Sequence, residues 1–156
     1  MTFRFANKAD TALILQFVRN LAVYEHLEDQ VVADEETLSR ELFERKGAEV
    51  IFALEDGKEV GFALFFHNFS TFLGRSGLYL EDLFVLPEYR GKGYGKALLR
   101  QLAVIAVERG CGRLEWVCLD WNQPSIDFYK SLGAEPQEDW TIYRLTGKTL
   151  TALAES

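Results

Sequence analysis

The chain has few of the residues that disulfide-linked or metal-stabilised small domains require. Its 156 residues include two cysteines, Cys111 and Cys118, and two histidines, His26 and His67. Two thiols do not form the disulfide framework of a small secreted domain. Neither histidine lies in a Cys/His cluster, so we predict no zinc site and no other bound metal. Cys118 lies in an apolar stretch and is predicted to be a small core residue.

The sequence also lacks a long hydrophobic run and an excess of basic residues. No apolar stretch approaches the ~20 residues that span a bilayer, and the N-terminal residues do not have the pattern of a signal peptide. We therefore predict a cytoplasmic protein without a membrane partner. The net charge of −7 argues against nucleic-acid binding. It is compatible with a cationic small substrate, although many proteins are acidic for solubility alone.

What the chain does have is enough apolar residues for a sizeable core. Hydrophobic residues make up 48% of it and aromatic residues 13%, which predicts one folded domain over residues 1–156. Apolar patterning predicts strands at 3–6, on both sides of the turn at 55–58, and at 76–86, 113–120 and 140–146. Helical spacing predicts helices near 10–22, 34–45, 93–109 and 123–133, followed by a weak tail. This order predicts an α/β fold with a mixed sheet and helices on both faces.

A glycine-rich stretch, "YRGKGYGK", lies between the fourth predicted strand and a long helix. It does not match the dinucleotide fingerprint G-x-G-x-x-G, because Lys96 occupies the sixth position counted from Gly91. It also fails the Walker pattern, because Ala97 follows Gly95-Lys96. The remaining pattern is R-x-x-G-x-G. Glycines at a helix N-terminus, with cations among them, favour phosphate binding over an ordinary tight turn.

Three blocks of the sequence together resemble the GCN5-related N-acetyltransferases (GNAT). They are "LAVYEHLEDQV", "YLEDLFVLPEYRGKGYG" and "DWNQPSIDFYKSLGA", and they are similar to the spermidine/spermine (diamine) and thialysine acetyltransferase branch. The resemblance covers nearly the whole chain. It implies a mostly antiparallel mixed sheet in which a splayed pair of strands binds coenzyme A. It also implies acetyl-CoA as cosubstrate and a homodimer.

The resemblance places the coenzyme site on the fourth strand, the glycine loop and the fourth helix. The implied coenzyme contacts are Leu83, Phe84, Val85, Arg90, Gly91, Lys92, Gly93, Tyr94, Gly95, Lys96, Asn122, Pro124, Ser125 and Tyr129. The [QR]-x-x-G-x-[GA] loop of the family binds the pyrophosphate of acetyl-CoA. It begins here at Arg90.

The resemblance further implies the residues that act on the amine. Glu81 corresponds to the carboxylate that engages the amine, and Tyr129 to the tyrosine near the thioester sulfur. Tyr24, Glu25, Glu138 and Trp140 correspond to substrate-binding positions, the last two through a shorter preceding loop. From the residues alone, Tyr129 would be read as a core aromatic. Glu81 and Asp82 are adjacent on a strand, so at most one faces a given site unless the other lies in a bulge.

The expected reaction is acetyl transfer to a primary amine of a small cationic substrate, a polyamine or a lysine analogue such as thialysine. The amine would attack directly in a ternary complex, with Glu81 accepting its proton, a backbone N–H near Phe84 stabilising the oxyanion and Tyr129 assisting the leaving thiolate. Cys118 has no evident base partner for an acyl-enzyme route. The alternatives are a protein or peptide acetyltransferase with an open groove, and a coenzyme A-binding sensor without turnover.

Overall fold

The computed structural model describes residues 1–156, which form two compact units, Met1–Val117 and Cys118–Ser156. The first unit contains a five-stranded sheet in the order β1-β2-β3-β4-β5. The first four strands are antiparallel neighbours, and β5 runs parallel to β4. This is the mixed, mostly antiparallel sheet that the sequence predicts. Its strands are β1 (Thr2–Phe5), β2 (Glu49–Glu55), β3 (Lys58–Ser70), β4 (Arg75–Val85) and β5 (Leu114–Glu115).

The first helices cover one face of this sheet. Helix α1 (Thr11–Tyr24) follows a short capped turn, and helix α2 (Glu35–Ser39) continues into a wider turn at Arg40–Glu44. Asp34 accepts a hydrogen bond from the Thr37 N–H and so caps α2. The core on this side, the α1 face, is aromatic because Phe17 stacks on Phe62 with ring centroids 5.1 Å apart. Its buried members are Ile14, Phe17, Leu42, Val50, Phe52, Phe62, Leu64 and Phe84.

Helix α3 (Tyr94–Glu108) covers the opposite face. Its inward side chains include Leu98 and Leu102, both 0% exposed. A Cβ at Gly61 of β3 would lie 3.3 Å from Leu98 Cδ1, so glycine lets the helix approach the strand closely. Helices therefore lie on both faces of the sheet. None of the helices in the chain is both long and apolar enough to cross a lipid bilayer.

Strand β4 contains a bulge that moves its side chains from one face of the sheet to the other. Leu80 pairs with Phe65, but Asp82 pairs with Leu64, so Glu81 has no partner residue on β3. The extra residue shifts the alternation of side chains beyond it. Asp82 consequently lies on the same face as Leu64 and Phe84, which is the α1 face.

Two predictions for the C-terminal part were wrong. Residues 140–146 form no strand, although they are apolar, because no neighbouring strand pairs with them. Residues predicted as a tail form helix α5 (Gly147–Glu155), whose leucines and alanines are good helix formers. The second unit also contains α4 (Gln123–Ser131), in the predicted position. Strand β5 is shorter than the predicted 113–120, because its pairing with β4 ends at Glu115.

Candidate active site

The glycine loop presents a run of backbone N–H groups that the protein leaves available. The amides from Gly91 to Lys96 donate to no backbone carbonyl, and the first helical bond runs from Ala97 N to Gly93 O over 3.0 Å. Gly91 and Gly93 have φ of 76° and 88°, a conformation that side chains disfavour. No side chain caps α3 at this end. Free amides at a helix N-terminus form an anion-binding cradle.

The side chains around the loop add positive charge and hold it against the β2–β3 turn. Lys92 and Lys96 are exposed. The ammonium groups of Lys58 and Lys92 lie 5.4 and 5.1 Å from the centre of the Tyr89 ring. Tyr94 is 4% exposed and its hydroxyl donates to Glu55 over 2.7 Å, so only its backbone can contribute to the cradle. Burial and the Glu55 carboxylate raise the pKa of Tyr94 to about 12.

Strand β4 has an unpaired edge beside the loop. Its pairing with β5 is limited to Leu78–Leu114 and Tyr79–Glu115, so the two strands part while β4 continues to Val85. Leu86 N–H donates to the Val60 carbonyl over 2.9 Å. Since main-chain groups alternate in direction along an antiparallel pair, Phe84 directs its groups to β3, while Leu83 and Val85 direct theirs to the unpaired edge.

The β4 bulge separates two adjacent carboxylates. Glu81 is exposed, whereas Asp82 is half-buried on the α1 face. Burial, and to a lesser extent the negative charges of Glu81 and Glu25, raise the pKa of Asp82 to about 6. Burial also raises the pKa of Glu25, the residue that ends α1. These carboxylates repel one another, and a bound cation would relieve that repulsion.

Arg90, the first residue of the loop motif, is exposed, but its guanidinium contacts neighbouring groups of α1 and β4. Its Nε donates to the Val85 carbonyl over 3.0 Å. Its guanidinium carbon lies 4.9 Å from the ring centre of Phe84 and 5.1 Å from that of Tyr24. The structure thus brings together Tyr24 of α1, Phe84 of β4 and Arg90 of the loop.

The second unit carries the other residues that the sequence assigns to the site. Asn122 is 6% exposed, and its side-chain oxygen accepts a hydrogen bond from the Ser125 N–H. This bond caps the start of α4, where Pro124 lies in the first turn. Tyr129 is half-buried, with its ring centre 5.6 Å from that of Phe128. Glu138 and Trp140 are exposed, Trp140 to 79%.

Asp82 is the residue whose importance sequence reasoning underestimated. The bulge places Asp82, and not Glu81, among the buried groups of the α1 face. The only signal in the sequence is the pair of adjacent acidic residues within an apolar strand. Nowhere in the chain do three or more histidine, cysteine or acidic side chains converge in a way that could hold a metal ion.

Comparison with known proteins identifies the family of the chain. Residues 19–134 match the acetyltransferase (GNAT) family. The chain is 37% identical to thialysine N-epsilon-acetyltransferase of Bos taurus, over 97% of this chain and 95% of that protein. It is 32% identical to spermidine/spermine N(1)-acetyltransferase-like protein 1 of Homo sapiens, over 97% of this chain and 23% of that protein.

A solved structure extends the agreement to the fold. An integron cassette protein from the mobile metagenome of V. cholerae is 33% identical and superposes with a TM-score of 0.83, over 99% of this chain and 98% of that one. The predicted family, its diamine and thialysine branch and the predicted fold are confirmed. The chain belongs to the acetyltransferase (GNAT) family, and it is an acetyl-CoA-dependent N-acetyltransferase.

Proposed function

We propose that the amine substrate is a small cation, a polyamine, a diamine or a lysine analogue such as thialysine, acetylated on a primary amine by direct attack. The observation that carries this proposal is the group of carboxylates Glu25, Glu81 and Asp82, whose charges interact in the unit that also contains the glycine loop. Mutually repelling carboxylates favour a ligand with positive charge. The relatives named for thialysine and spermidine/spermine acetylation support the same class of substrate.

The glycine loop and the unpaired edge of β4 are suited to acetyl-CoA. Free amides from Gly91 to Lys96, with the ammonium groups of Lys92 and Lys96, would hold the pyrophosphate. The main-chain groups of Leu83 and the N–H of Val85 would hold the extended arm of the coenzyme, since Arg90 occupies the Val85 carbonyl. Bound in this way, acetyl-CoA supplies an acetyl group activated as a thioester. Asn122, Pro124 and Ser125 are the further contacts that we propose from the second unit.

Deprotonation of the amine is the step in which the carboxylates act. An alkyl ammonium has a pKa near ~10.4, so roughly one molecule in a few thousand is neutral at pH 7. Glu81 is the proposed partner of the incoming cation, together with Tyr24 and Glu25. The pKa of Asp82 is about 6, against an ordinary value of 3.8. This shift makes Asp82 a stronger base by about 3 kcal/mol, and we propose that it accepts the proton directly or through water.

Charge that develops on the thioester carbonyl needs a hydrogen-bond donor. The N–H groups of Leu83 and Val85 point to the unpaired edge of β4, so they are better placed for this role than that of Phe84. Tyr129 is the proposed donor to the leaving thiolate. Full proton transfer from a phenol near pKa ~10 to a thiolate near ~8.5 is uphill by roughly 2 kcal/mol. A hydrogen bond to the thiolate is therefore its main contribution.

The experiment that tests the proposal is a product screen with purified protein and acetyl-CoA. Release of coenzyme A is followed with a thiol reagent, in parallel wells with spermidine, putrescine, thialysine, lysine and a basic peptide. We expect turnover with at least one small amine and a loss of most of it in Asp82→Asn. Turnover with the peptide alone would instead indicate a protein substrate. Tight acetyl-CoA binding without turnover on any amine would indicate a coenzyme sensor.

We further propose that the protein is a homodimer. Large apolar side chains are exposed at the β3–β4 turn, where Phe69 is 60%, Phe72 100% and Leu73 52% exposed. Aromatic residues are enriched at protein interfaces. Sedimentation equilibrium should give twice the chain mass of 17.8 kDa, and Phe72→Ser should shift the protein toward monomer. The cytoplasmic location stays a prediction from the sequence.

A further inference from the structure

The arginine of the glycine-loop motif lies between the end of α1 and β4. Its guanidinium carbon is 5.1 Å from the ring centre of Tyr24 and 4.9 Å from that of Phe84. Its Nε donates to the Val85 carbonyl over 3.0 Å. A guanidinium that rests against two aromatic rings and fills a carbonyl acceptor is held in place. Arg90 therefore fixes the start of the loop relative to β4.

Tyr24 is also next in sequence to one of the carboxylates that we propose to bind the amine. It precedes Glu25, the residue that ends α1 and whose charge acts on Asp82. Asp82 and Phe84 are two residues apart in β4 and so lie on the same face, which the bulge at Glu81 makes the α1 face. Two adjacent residues at the end of α1 thus relate to β4 in different ways: Glu25 acts electrostatically on Asp82, and Tyr24 shares the Arg90 guanidinium with Phe84.

We propose that Tyr24 is a positioning residue for coenzyme binding, acting through Arg90, in addition to its place on the amine side of the site. The ring of Tyr24 holds the guanidinium, the guanidinium holds the Val85 carbonyl, and the loop that begins at Arg90 keeps its amides arranged for the pyrophosphate. Coenzyme affinity then depends on a side chain from the amine side, even when no amine is present. This inference rests on the proposed function, since it takes the loop as the pyrophosphate site.

The test is a double-mutant cycle on coenzyme affinity, measured by isothermal titration calorimetry with coenzyme A and no amine. The variants are Tyr24→Met, Arg90→Gln and their combination. Methionine keeps much of the side-chain volume without a ring, and glutamine keeps a donor for the Val85 carbonyl without the charge. We expect Tyr24→Met to weaken binding about threefold to fivefold, the upper part of the range for a solvent-exposed cation–π contact. In the Arg90→Gln background the same change should cost less than about twofold.

Two controls separate this role from a general loss of structure. Tyr24→Phe keeps the ring and should bind coenzyme A within about twofold of the wild type. Phe72→Leu removes a fully exposed ring at the β3–β4 turn and should leave binding unchanged. Tyr24→Leu replaces Tyr24→Met if the latter lacks a cooperative unfolding transition.

The outcomes distinguish failure of this inference from failure of the proposed function. If the wild-type protein does not bind coenzyme A, the assignment of the loop is wrong. If it binds, but Tyr24→Met binds equally well or weakens binding by the same factor with and without Arg90, then Tyr24 does not act through Arg90 and the inference is overturned.

Discussion

Gly95 is a glycine that the protein itself does not require. It lies in the first turn of α3, its φ is not in the left-handed region, and no atom lies within 4 Å of the position that a Cβ would occupy. Glycine inside a helix is less favourable than alanine by about 0.8–1.0 kcal/mol. Gly95→Ala should therefore stabilise the ligand-free protein by up to about 1 kcal/mol, which raises the melting temperature by about 2–4 °C.

A larger side chain at position 95 tests whether the open space around Gly95 is needed for coenzyme binding. Leucine has nearly the helix propensity of alanine, so Gly95→Leu should keep or improve thermal stability. Its side chain would extend over the free amides and should weaken acetyl-CoA binding more than about tenfold, or about 1.4 kcal/mol. Gly95→Ala should bind within about threefold of the wild type, since the family motif accepts alanine at this position.

Thermal unfolding and calorimetric titration with acetyl-CoA on the same preparations measure both effects. Gly93→Ala is the matched contrast, because φ of 88° at this position gives an alanine about 1–2 kcal/mol of strain. That variant should lose stability where the Gly95 variants gain it. Unchanged acetyl-CoA affinity in Gly95→Leu would refute the reasoning that the loop amides hold the coenzyme.

The remaining predictions concern charges and the proposed acid. Because the pKa of Asp82 is raised from 3.8 to about 6, the ionised form is disfavoured in the fold and wild-type stability falls as pH rises between these values. Denaturant unfolding should therefore show Asp82→Asn more stable than wild type by up to about 3 kcal/mol at pH 7.5 and by little near pH 4; a gain that is equal at both pH values contradicts this. Tyr129→Phe should lower kcat much more than it weakens acetyl-CoA binding, and equal losses would remove the assignment. Arg4 donates to both oxygens of Asp10 over 2.8 Å and to Glu59 over 2.6 Å, so Arg4→Met should cost about 2 kcal/mol at neutral pH. The Arg4 guanidinium holds the pKa of Asp10 below its usual value of 3.8, so this cost should shrink as pH falls below 3.8, and a cost independent of pH would argue for lost packing instead.

The sequence predicts the elements whose signals are local. The β2–β3 hairpin follows from apolar stretches around a turn at 55–58, and α3 follows from its helical spacing after the glycine loop. Residues 140–146 carry the composition of a strand but form none, since pairing requires a neighbouring strand that composition does not report. Helix α5 was missed because it begins with Gly147, a poor helix former, although Thr146 before it is a favoured capping residue.

The candidate site also has features that local sequence patterns predict and features that only the fold reveals. Loop amides and lysines could be predicted, because glycine and charge patterns at a helix start are local. The contact of Arg90 with Tyr24 joins residues far apart in the sequence and is visible only in the fold. The half-burial of Asp82 depends on one unpaired residue in β4, and no pattern in the sequence marks that bulge.

The bulge at Glu81 makes β4 a strand that serves two cores in succession. Before it, Leu78 and Leu80 face the side of the sheet that α3 covers, and after it Phe84 faces the side of α1. Even-numbered residues change sides within a single strand. Deleting Glu81 would remove the bulge but keep the faces of the later side chains, because Asp82 would follow Leu80 directly and still pair with Leu64. Adding or removing one residue between Asp82 and Phe84 would instead turn Phe84 toward α3. The length of β4 is therefore constrained after the bulge, whereas the exposed turn between β3 and β4 has room for added residues.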